Sequence, residues 1–334
     1  MTNSPISRRT VLAAGGAALA STALWPARAR GAASLNSASA APSLHPRRVL
    51  RLAHMTDTHI QPERAGSEGF AAALAHMQGQ ADRPDLVLFG GENLMNVDSG
   101  DGAARAAVQV AEWTGRLRQD LSLPHRCCIG NHDVLRLDPG DGKRFAADLF
   151  GMPGRYYAFD PAEAAGLTGG RAGGRGAWRV VVLDSTSPEG GGYKGRLDDE
   201  QFEWLDATLG EIGDSAHVLV LSHIPILAPC AYFDGENERS GDWVVPGAWM
   251  HIDARRIKDV FLKHANVRLC LSGHMHLVDQ ASYNGVWYCC NGAVSGAWWG
   301  GAYHEFNTGY GLVDLFEDGT FRNEYVTYPW EPRE

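Results

Sequence analysis

The amino-acid sequence predicts an α/β (α+β) fold in which short buried strands alternate with amphipathic helices. Two observations support this prediction. First, apolar runs with the length and aliphatic content of buried strands lie at residues 49–53, 86–89, 126–129, 218–221 and 267–271. Second, a residue that can bind a metal ion follows each of these five runs.

The segments between these runs carry helical periodicity. Helices are predicted at 68–80, 103–121, 198–209 and 253–264, and two more strands at 178–183 and 285–290. In the last helix Ile257, Val260 and Phe261 share one face, as expected of an ordinary amphipathic helix. The chain has no glycine-rich nucleotide fingerprint and no internal repeat at a fixed period.

The polar residues that follow the strands are of the types that bind metal ions. Strand ends in open α/β sheets meet at one crevice, so we expect these side chains to converge. Carboxylates, imidazoles and an amide without thiolates favour zinc, manganese or iron. The set is too large for one tetrahedral ion, which predicts two divalent ions. Its members are Asp57, His59, Glu92, Asn131, His223, His274 and His276.

Five motifs follow the strands in order: Asp-x-His, Gly-Gly-acid, Gly-Asn-His-Asp, a lone His after an apolar strand, and Gly-His-x-His. From about residue 49 to the end of the chain, this series resembles the calcineurin-like metallophosphoesterase family. The resemblance implies two packed mixed β-sheets flanked by α-helices, a four-layer sandwich. It also implies a metal-dependent phosphoric ester hydrolase, in which hydroxide activated by two metals attacks a small phosphomonoester or phosphodiester.

The resemblance also implies a role for each residue. Asp57, His59 and His276 would hold the first metal, whereas Asn131, His223 and His274 would hold the second, and residue 92 would bridge both. His132 matches the family's histidine that contacts the phosphate and assists the leaving group. Asp133, which follows it in the motif, is the second predicted catalytic residue.

Glu92 departs from the family pattern, which has aspartate at the bridging position. Three outcomes are open: Glu92 bridges with a shifted backbone, it binds one metal only, or Asn93 or a water replaces it. This departure prompts an alternative function, a catalytically weakened relative that binds a phosphorylated ligand. A third hypothesis is a structural or envelope-associated protein that keeps its N-terminal segment as an anchor.

Two segments are candidates for substrate contact. Trp298 and His304 lie in a glycine- and aromatic-rich stretch, where the tryptophan could form an apolar wall beside the metals. In the other interpretation Trp298 and Trp299 both pack into the core. Tyr193 and Lys194 follow three glycines and are predicted to lie in an exposed loop, although either could touch substrate.

The net charge of the chain limits the kinds of partner it can bind. The formal net charge is −9, and the first 29 residues contain three arginines and no acidic residue, so the remainder is more acidic still. The absence of a basic stripe argues against a nucleic-acid polymer as partner. A small phosphorylated substrate remains compatible, because bound metals would supply local positive charge.

The N-terminus resembles a twin-arginine export signal. Arg8 and Arg9 precede an Ala- and Gly-rich stretch, and residues 27–29 form a small-x-small cleavage candidate. We therefore predict a signal peptide at 1–29, a flexible linker at 30–48 and a catalytic domain at 49–334. The predicted location is periplasmic or secreted, with the twin-arginine export machinery as partner and no stable membrane span after cleavage. A membrane anchor or an unprocessed basic tail is the alternative.

The six cysteines show no zinc-finger spacing and are expected to be mostly small buried hydrophobes. An oxidising compartment would permit disulfides, but the sequence assigns no pairing.

Overall fold

The computed structural model describes residues 46–98, 102–134, 142–167, 176–235 and 241–333. The predicted signal peptide and all but the last three residues of the predicted linker lie outside these ranges. Along the chain the strands are β1 (Arg48–Met55), β2 (Leu86–Phe89), β3 (His125–Cys127), β4 (Tyr157–Phe159), β5 (Ala177–Val182), β6 (Thr186–Glu189), β7 (Gly192–Gly195), β8 (Ala216–Leu221), β9 (Val267–Ser272), β10 (Asp279–Tyr283), β11 (Val286–Cys290), β12 (Gly309–Phe316) and β13 (Phe321–Thr327).

The described helices occupy the connections that the sequence predicts and several more. The α-helices are α1 (Gly66–Gln78), α2 (Gly102–Asp120), α3 (Lys143–Leu149), α4 (Pro161–Ala164), α5 (Asp199–Ile212) and α6 (Ala254–Lys263). Short 3-10 helices lie at Glu63–Ala65, Asn131–Asp133 and Pro229–Tyr232. None of the helices in the described ranges is long and apolar enough to cross a membrane.

The strands form two large mixed sheets and one hairpin. The first sheet has the order β13-β12-β1-β2-β3, in which β1, β2 and β3 are parallel and β12 is antiparallel to both of its neighbours. The second has the order β10-β11-β9-β8-β5-β4, with four parallel central strands and antiparallel strands at both edges. Strands β6 and β7 form a two-stranded hairpin, and Gly195 at the end of β7 makes an isolated parallel bridge to His251.

The alternation of side chains along each strand builds three apolar layers. Leu52 of β1 and Leu219 of β8 belong to the core between the two sheets. Ala53, the next residue of β1, faces the core under α1 and α2. Val220 of β8 faces the core under α5 and α6. The predicted arrangement of two packed mixed sheets flanked by helices is therefore confirmed.

Candidate metal centre

The strand ends of both sheets meet at one place. The chain leaves β1 at Asp57 and His59, β2 at Glu92 and β9 at His274 and His276. Two groups of ligand atoms lie there, each with its atoms within 4.8 Å of one another, and Glu92 belongs to both. The first group is Asp57, His59, Glu92 and His276, and the second is Glu92, His223 and His274.

The two carboxylate oxygens of Glu92 face different groups. Oε2 lies 2.8 Å from Nε2 of His59 and 3.8 Å from Nε2 of His276. Oε1 lies 3.6 Å from Nε2 of His223 and 3.8 Å from Nδ1 of His274. One side chain thus connects the two groups, and the extra methylene of glutamate does not prevent it from reaching both.

Asn93 does not take the place of Glu92. Its side-chain amide donates to the Cys128 carbonyl and to Asp133, both at 3.3 Å. Glycine at position 130 gives Glu92 its room, because a Cβ there would lie 2.2 Å from the Glu92 backbone nitrogen and 2.7 Å from its Cγ. Any larger residue at 130 would therefore displace the acid.

The remaining members of each group are also close. In the first group, Nε2 of His276 lies 3.5 Å from Oδ1 of Asp57 and 3.1 Å from Nε2 of His59. Asp57 is held by the Thr56 hydroxyl at 2.5 Å and by the His274 backbone N–H at 3.0 Å. In the second group, Oδ1 of Asn131 lies 3.2 Å from Nε2 of His223. The structure thus brings all seven predicted residues together.

Backbone carbonyls fix the ring orientation of three of the histidines. A carbonyl only accepts, so the ring nitrogen beside it must carry a proton, and the other ring nitrogen is the one that faces the cluster. The pairs are His223 Nδ1 with Gly90 at 2.9 Å, His276 Nδ1 with Gly296 at 2.6 Å, and His274 Nε2 with Ala248 at 2.9 Å. On the cluster side, the buried Nδ1 of His274 has no hydrogen-bond partner. These are the properties of nitrogen ligands of a metal ion.

The backbone at the cluster is strained. Five of the seven residues adopt the left-handed φ region, which non-glycine residues rarely occupy and which costs about 1–3 kcal/mol each. This conformation turns the chain sharply at the end of each strand and aims the side chain into the crevice. The residues are Asp57 (55°), His59 (44°), Glu92 (50°), His274 (71°) and His276 (57°).

The carboxylates and imidazoles of the centre shift one another's pKa values. Burial would raise the pKa of Glu92, but the neighbouring imidazoles of His132, His59 and His223 outweigh it and hold this pKa well below its ordinary value. Burial would lower the pKa of His223, yet the charges of Glu92 and Asp57 raise it to about 9. Cation binding must therefore displace a proton from His223.

The two predicted catalytic residues have different environments. His132 has 29% of its side chain exposed, its Nε2 lies 3.6 Å from Glu92 Oε1, and its Nδ1 donates to the Met95 carbonyl. Asp133 is fully buried, and its oxygens accept backbone N–H groups of Gly130 at 2.9 Å and Leu94 at 3.0 Å. Burial raises the pKa of Asp133 to about 6. His132 thus faces the cluster, whereas Asp133 ties together the loops that carry it.

Of the two interpretations made from the sequence, a wall beside the metals holds for Trp298 and packing into the core holds for Trp299. The Trp298 ring is half-buried, and its centroid lies 4.7 Å from that of His276 and 6.0 Å from that of His59. Trp299 is fully buried in the core under α1, and its Nε1 donates to the His59 carbonyl at 3.0 Å. Only Trp298 forms a wall of the site.

His304 lies farther out. It is 43% exposed, and its Nε2 lies 3.3 Å from Oδ1 of Asp234, which also accepts the Tyr303 hydroxyl at 2.9 Å. The Tyr303 ring in turn lies 5.5 Å from that of His276. Tyr303 lies within the predicted glycine- and aromatic-rich stretch, whereas Asp234 was not predicted, because it belongs to no motif and meets this stretch only in the folded chain.

The predicted exposed loop around Tyr193 is instead the β6–β7 hairpin, so that prediction is wrong. Gly190 and Gly191 form its two-residue turn with φ of 55° and 81°, values that suit glycine. The half-buried Tyr193 ring lies 6.0 Å from that of His274, at the rim of the cluster. Lys194 pairs with Glu189 at 2.8 Å.

Comparisons with known proteins agree with this architecture. A family model described as Calcineurin-like phosphoesterase matches residues 50–278. A probable cyclic nucleotide phosphodiesterase of Synechococcus sp. is 27% identical over 68% of this chain and 74% of that protein. The 3′,5′-cyclic adenosine monophosphate phosphodiesterase CpdA of Escherichia coli is 24% identical over 71% and 73%. A dimetal phosphatase from Danio rerio shares the fold, with a TM-score of 0.56 and 15% identity over 85% of this chain and 100% of that one.

Proposed function

Because the chain belongs to the calcineurin-like phosphoesterase family of metal-dependent phosphoric ester hydrolases, we propose that it hydrolyses a small phosphodiester of the cyclic nucleotide class. The observation that carries the proposal is the division of the Glu92 oxygens between two groups of ligand atoms. Asp57, His59 and His276 would hold the first ion, Asn131, His223 and His274 the second, and Glu92 would bridge them. Zinc, manganese and iron suit this donor set.

Two ions held there would neutralise the phosphoryl oxygens and acidify the attacking water. The chain supplies the rest. His132 faces the cluster with Nε2 while its Nδ1 is fixed on a carbonyl, so a protonated ring would donate from Nε2 to the departing oxygen. Its partial exposure leaves it accessible to a substrate. We assign Asp133 a positioning role, because backbone N–H groups occupy its carboxylate.

Aromatic rings beside the cluster support an organic diester substrate. The Trp298 ring adjoins the first group and the Tyr193 ring adjoins the second. Exposed aromatic faces stack on nucleobases with little dependence on base identity. Several relatives are named as cyclic nucleotide phosphodiesterases and others as glycerophosphodiester phosphodiesterases, and the former names support a substrate that carries a base. His304 would contact only a substrate that extends to the rim.

The alternative, a weakened relative that only binds a phosphorylated ligand, supposes that Glu92 fails as a bridge. The described geometry favours a working bridge. Glu92→Asp decides between them: we expect slower turnover, because the shorter side chain withdraws its oxygens by roughly one methylene, about 1.5 Å. A large gain in turnover would support the weakened relative.

The reaction is tested with metal-free protein reloaded with manganese, zinc or iron. We expect turnover of bis(4-nitrophenyl) phosphate and of 3′,5′-cyclic AMP that exceeds turnover of 4-nitrophenyl phosphate. An open-chain diester such as glycerophosphocholine shows whether the cyclic ester is preferred. His132→Ala is the matched control, since it should keep both ions and lose about 10²- to 10⁴-fold in rate. Absence of turnover with every ion and every ester would overturn the proposal.

We further propose export by the twin-arginine machinery to a periplasmic or secreted location. The support is the sequence at Arg8, Arg9 and residues 27–29, which lies outside the described residues. The double substitution of Arg8 and Arg9 by lysine should retain the protein in the cytoplasm of a fractionated cell. An unchanged distribution would remove the proposal.

A further inference from the structure

Two cysteines far apart in the sequence meet beside the metal centre. Cys230 lies in the 3-10 helix Pro229–Tyr232, and Cys290 is the last residue of β11. Both are buried in one small apolar cluster with Met275 and Leu277. Two cysteines must be neighbours in the folded chain before a disulfide can form.

The backbones of both cysteines are fixed by the same residue, Asp279. The Cys230 N–H donates to Oδ2 of Asp279 at 2.6 Å. Cys290 is the register partner of Asp279 in the β10–β11 pair. The folded chain therefore holds the two cysteines in place before any bond forms, which lowers the distortion that closing a disulfide would require.

The other cysteines have different surroundings. Cys289 faces the core between the sheets, opposite to Cys290, because successive side chains of a strand alternate. Cys270 lies in the core under α5 and α6. Cys127 and Cys128 are neighbours in the chain and also face different cores. Cys270 therefore offers a matched control, a buried thiol in a different cluster.

We propose that Cys230 and Cys290 form a disulfide when the protein meets a small disulfide oxidant such as oxidised glutathione. Two S–H bonds break and one S–S bond forms in the protein. The S–S bond of the oxidant breaks, and the oxidant leaves as two thiols that carry the two electrons and two protons. The neighbouring Cys290 thiol, together with burial, raises the pKa of the Cys230 thiol, so the exchange should be slow and follow local opening.

The bond would enclose the loop that carries His274 and His276. The Cys290 thiol now donates to the Gly273 carbonyl at 3.2 Å, directly before His274. Oxidation removes this donor and replaces it by a covalent tie from β11 to the 3-10 helix. The disulfide would therefore brace the segment that supplies one histidine to each ion.

The test incubates folded, full-length protein with oxidised glutathione and then alkylates it in denaturant before non-reducing peptide mapping. We expect a peptide that links Cys230 to Cys290, so that two of the six cysteines escape alkylation. The same link should appear in Cys270→Ser. It should be absent from Cys230→Ser and from Cys290→Ser.

Thermal unfolding gives a second measurement that does not depend on peptide recovery. Oxidised wild-type protein and Cys270→Ser should lose roughly 5 °C in Tm when a thiol reductant is added. Cys230→Ser and Cys290→Ser should not respond. The proposal is overturned if both thiols are still alkylated after oxidation of the native protein and after refolding with the oxidant present. It is equally overturned if either one pairs with a different cysteine.

Discussion

The two halves of the metal centre share Glu92 but are built differently. In the first half, side chains from the ends of β1 and β9 contact one another directly, with His59 2.8 Å from Oε2 of Glu92 and 3.1 Å from His276. In the second half, His223 and His274 lie 3.6 Å and 3.8 Å from Oε1. The first half is therefore the more tightly packed of the two.

Both histidines of the second half are oriented by backbone carbonyls of surrounding loops, whereas in the first half this is true of His276 but not of His59. His223 is oriented by Gly90, which ends the β2 run, and His274 by Ala248, in the segment between β8 and α6. Outer partners of this kind change metal affinity by about 10- to 100-fold when they are lost. We infer that the first ion is held mainly by its direct ligands, whereas affinity for the second also depends on how well these loops are ordered.

The largest effect should come from the residue that the two halves share. Glu92→Gln removes the one carboxylate that faces both groups, so we expect both ions to be lost. Activity should fall by more than the 10- to 100-fold that outer partners contribute. Elemental analysis of the purified protein measures the metal content. Glu203→Gln, an exposed change on α5, is the control and should keep both ions. Full occupancy in Glu92→Gln would show that the halves do not depend on this carboxylate.

A smaller effect should separate the halves. His276→Ala removes a first-half nitrogen and His274→Ala a second-half nitrogen, so each variant should retain about one ion in place of two. The residual ion of His274→Ala should resist chelator better, because it lies in the closely packed half. Chelator titration followed by elemental analysis measures this difference.

The control for this pair is His304→Ala, which changes a rim histidine 3.3 Å from Asp234. It should keep both ions. If His276→Ala and His274→Ala lost their ions in the same way, the two halves would behave as one site, and the contrast between them would be wrong.

The strand ends could be predicted because each apolar run stops at a polar residue. Strand β2 has the predicted bounds, since Asp85 precedes its apolar run and a glycine follows it. Strand β12 was not named, because two glycines and Asp314 interrupt its apolar pattern. It is buried through its position between β1 and β13, which no local pattern encodes.

Prediction of the site from the sequence has the same limit, because local patterns do not encode how separate segments pack. The motifs locate the ligands because each lies directly beyond a strand. They cannot tell that Trp298 lies at the cluster while Trp299 enters the core, because φ values of 50° and 70° at these two residues turn the chain between them. Nor can they show which oxygen of Glu92 faces which half. Both depend on how separate loops pack in the folded chain.

The smallest effect should come from Asp133, which accepts backbone N–H groups from the two loops around Glu92. Asp133→Asn keeps the shape but replaces one acceptor oxygen by an NH₂ group, which would face a backbone N–H of Gly130 or Leu94. One buried donor is then left unsatisfied, at a cost of about 1–3 kcal/mol in the free energy of unfolding. Denaturant unfolding measures this change.

Asp199→Asn is the control for this last substitution, because Asp199 is 85% exposed and only pairs with Arg256. An exposed pair contributes little, so its change should stay within about 0.5 kcal/mol. Metal content should be unaffected in both variants, since Asp133 positions the loop that carries Glu92 without facing the cluster. If Asp133→Asn emptied the centre while the fold remained stable, Asp133 would act at the metals directly, and the first and second halves would share a second carboxylate besides Glu92.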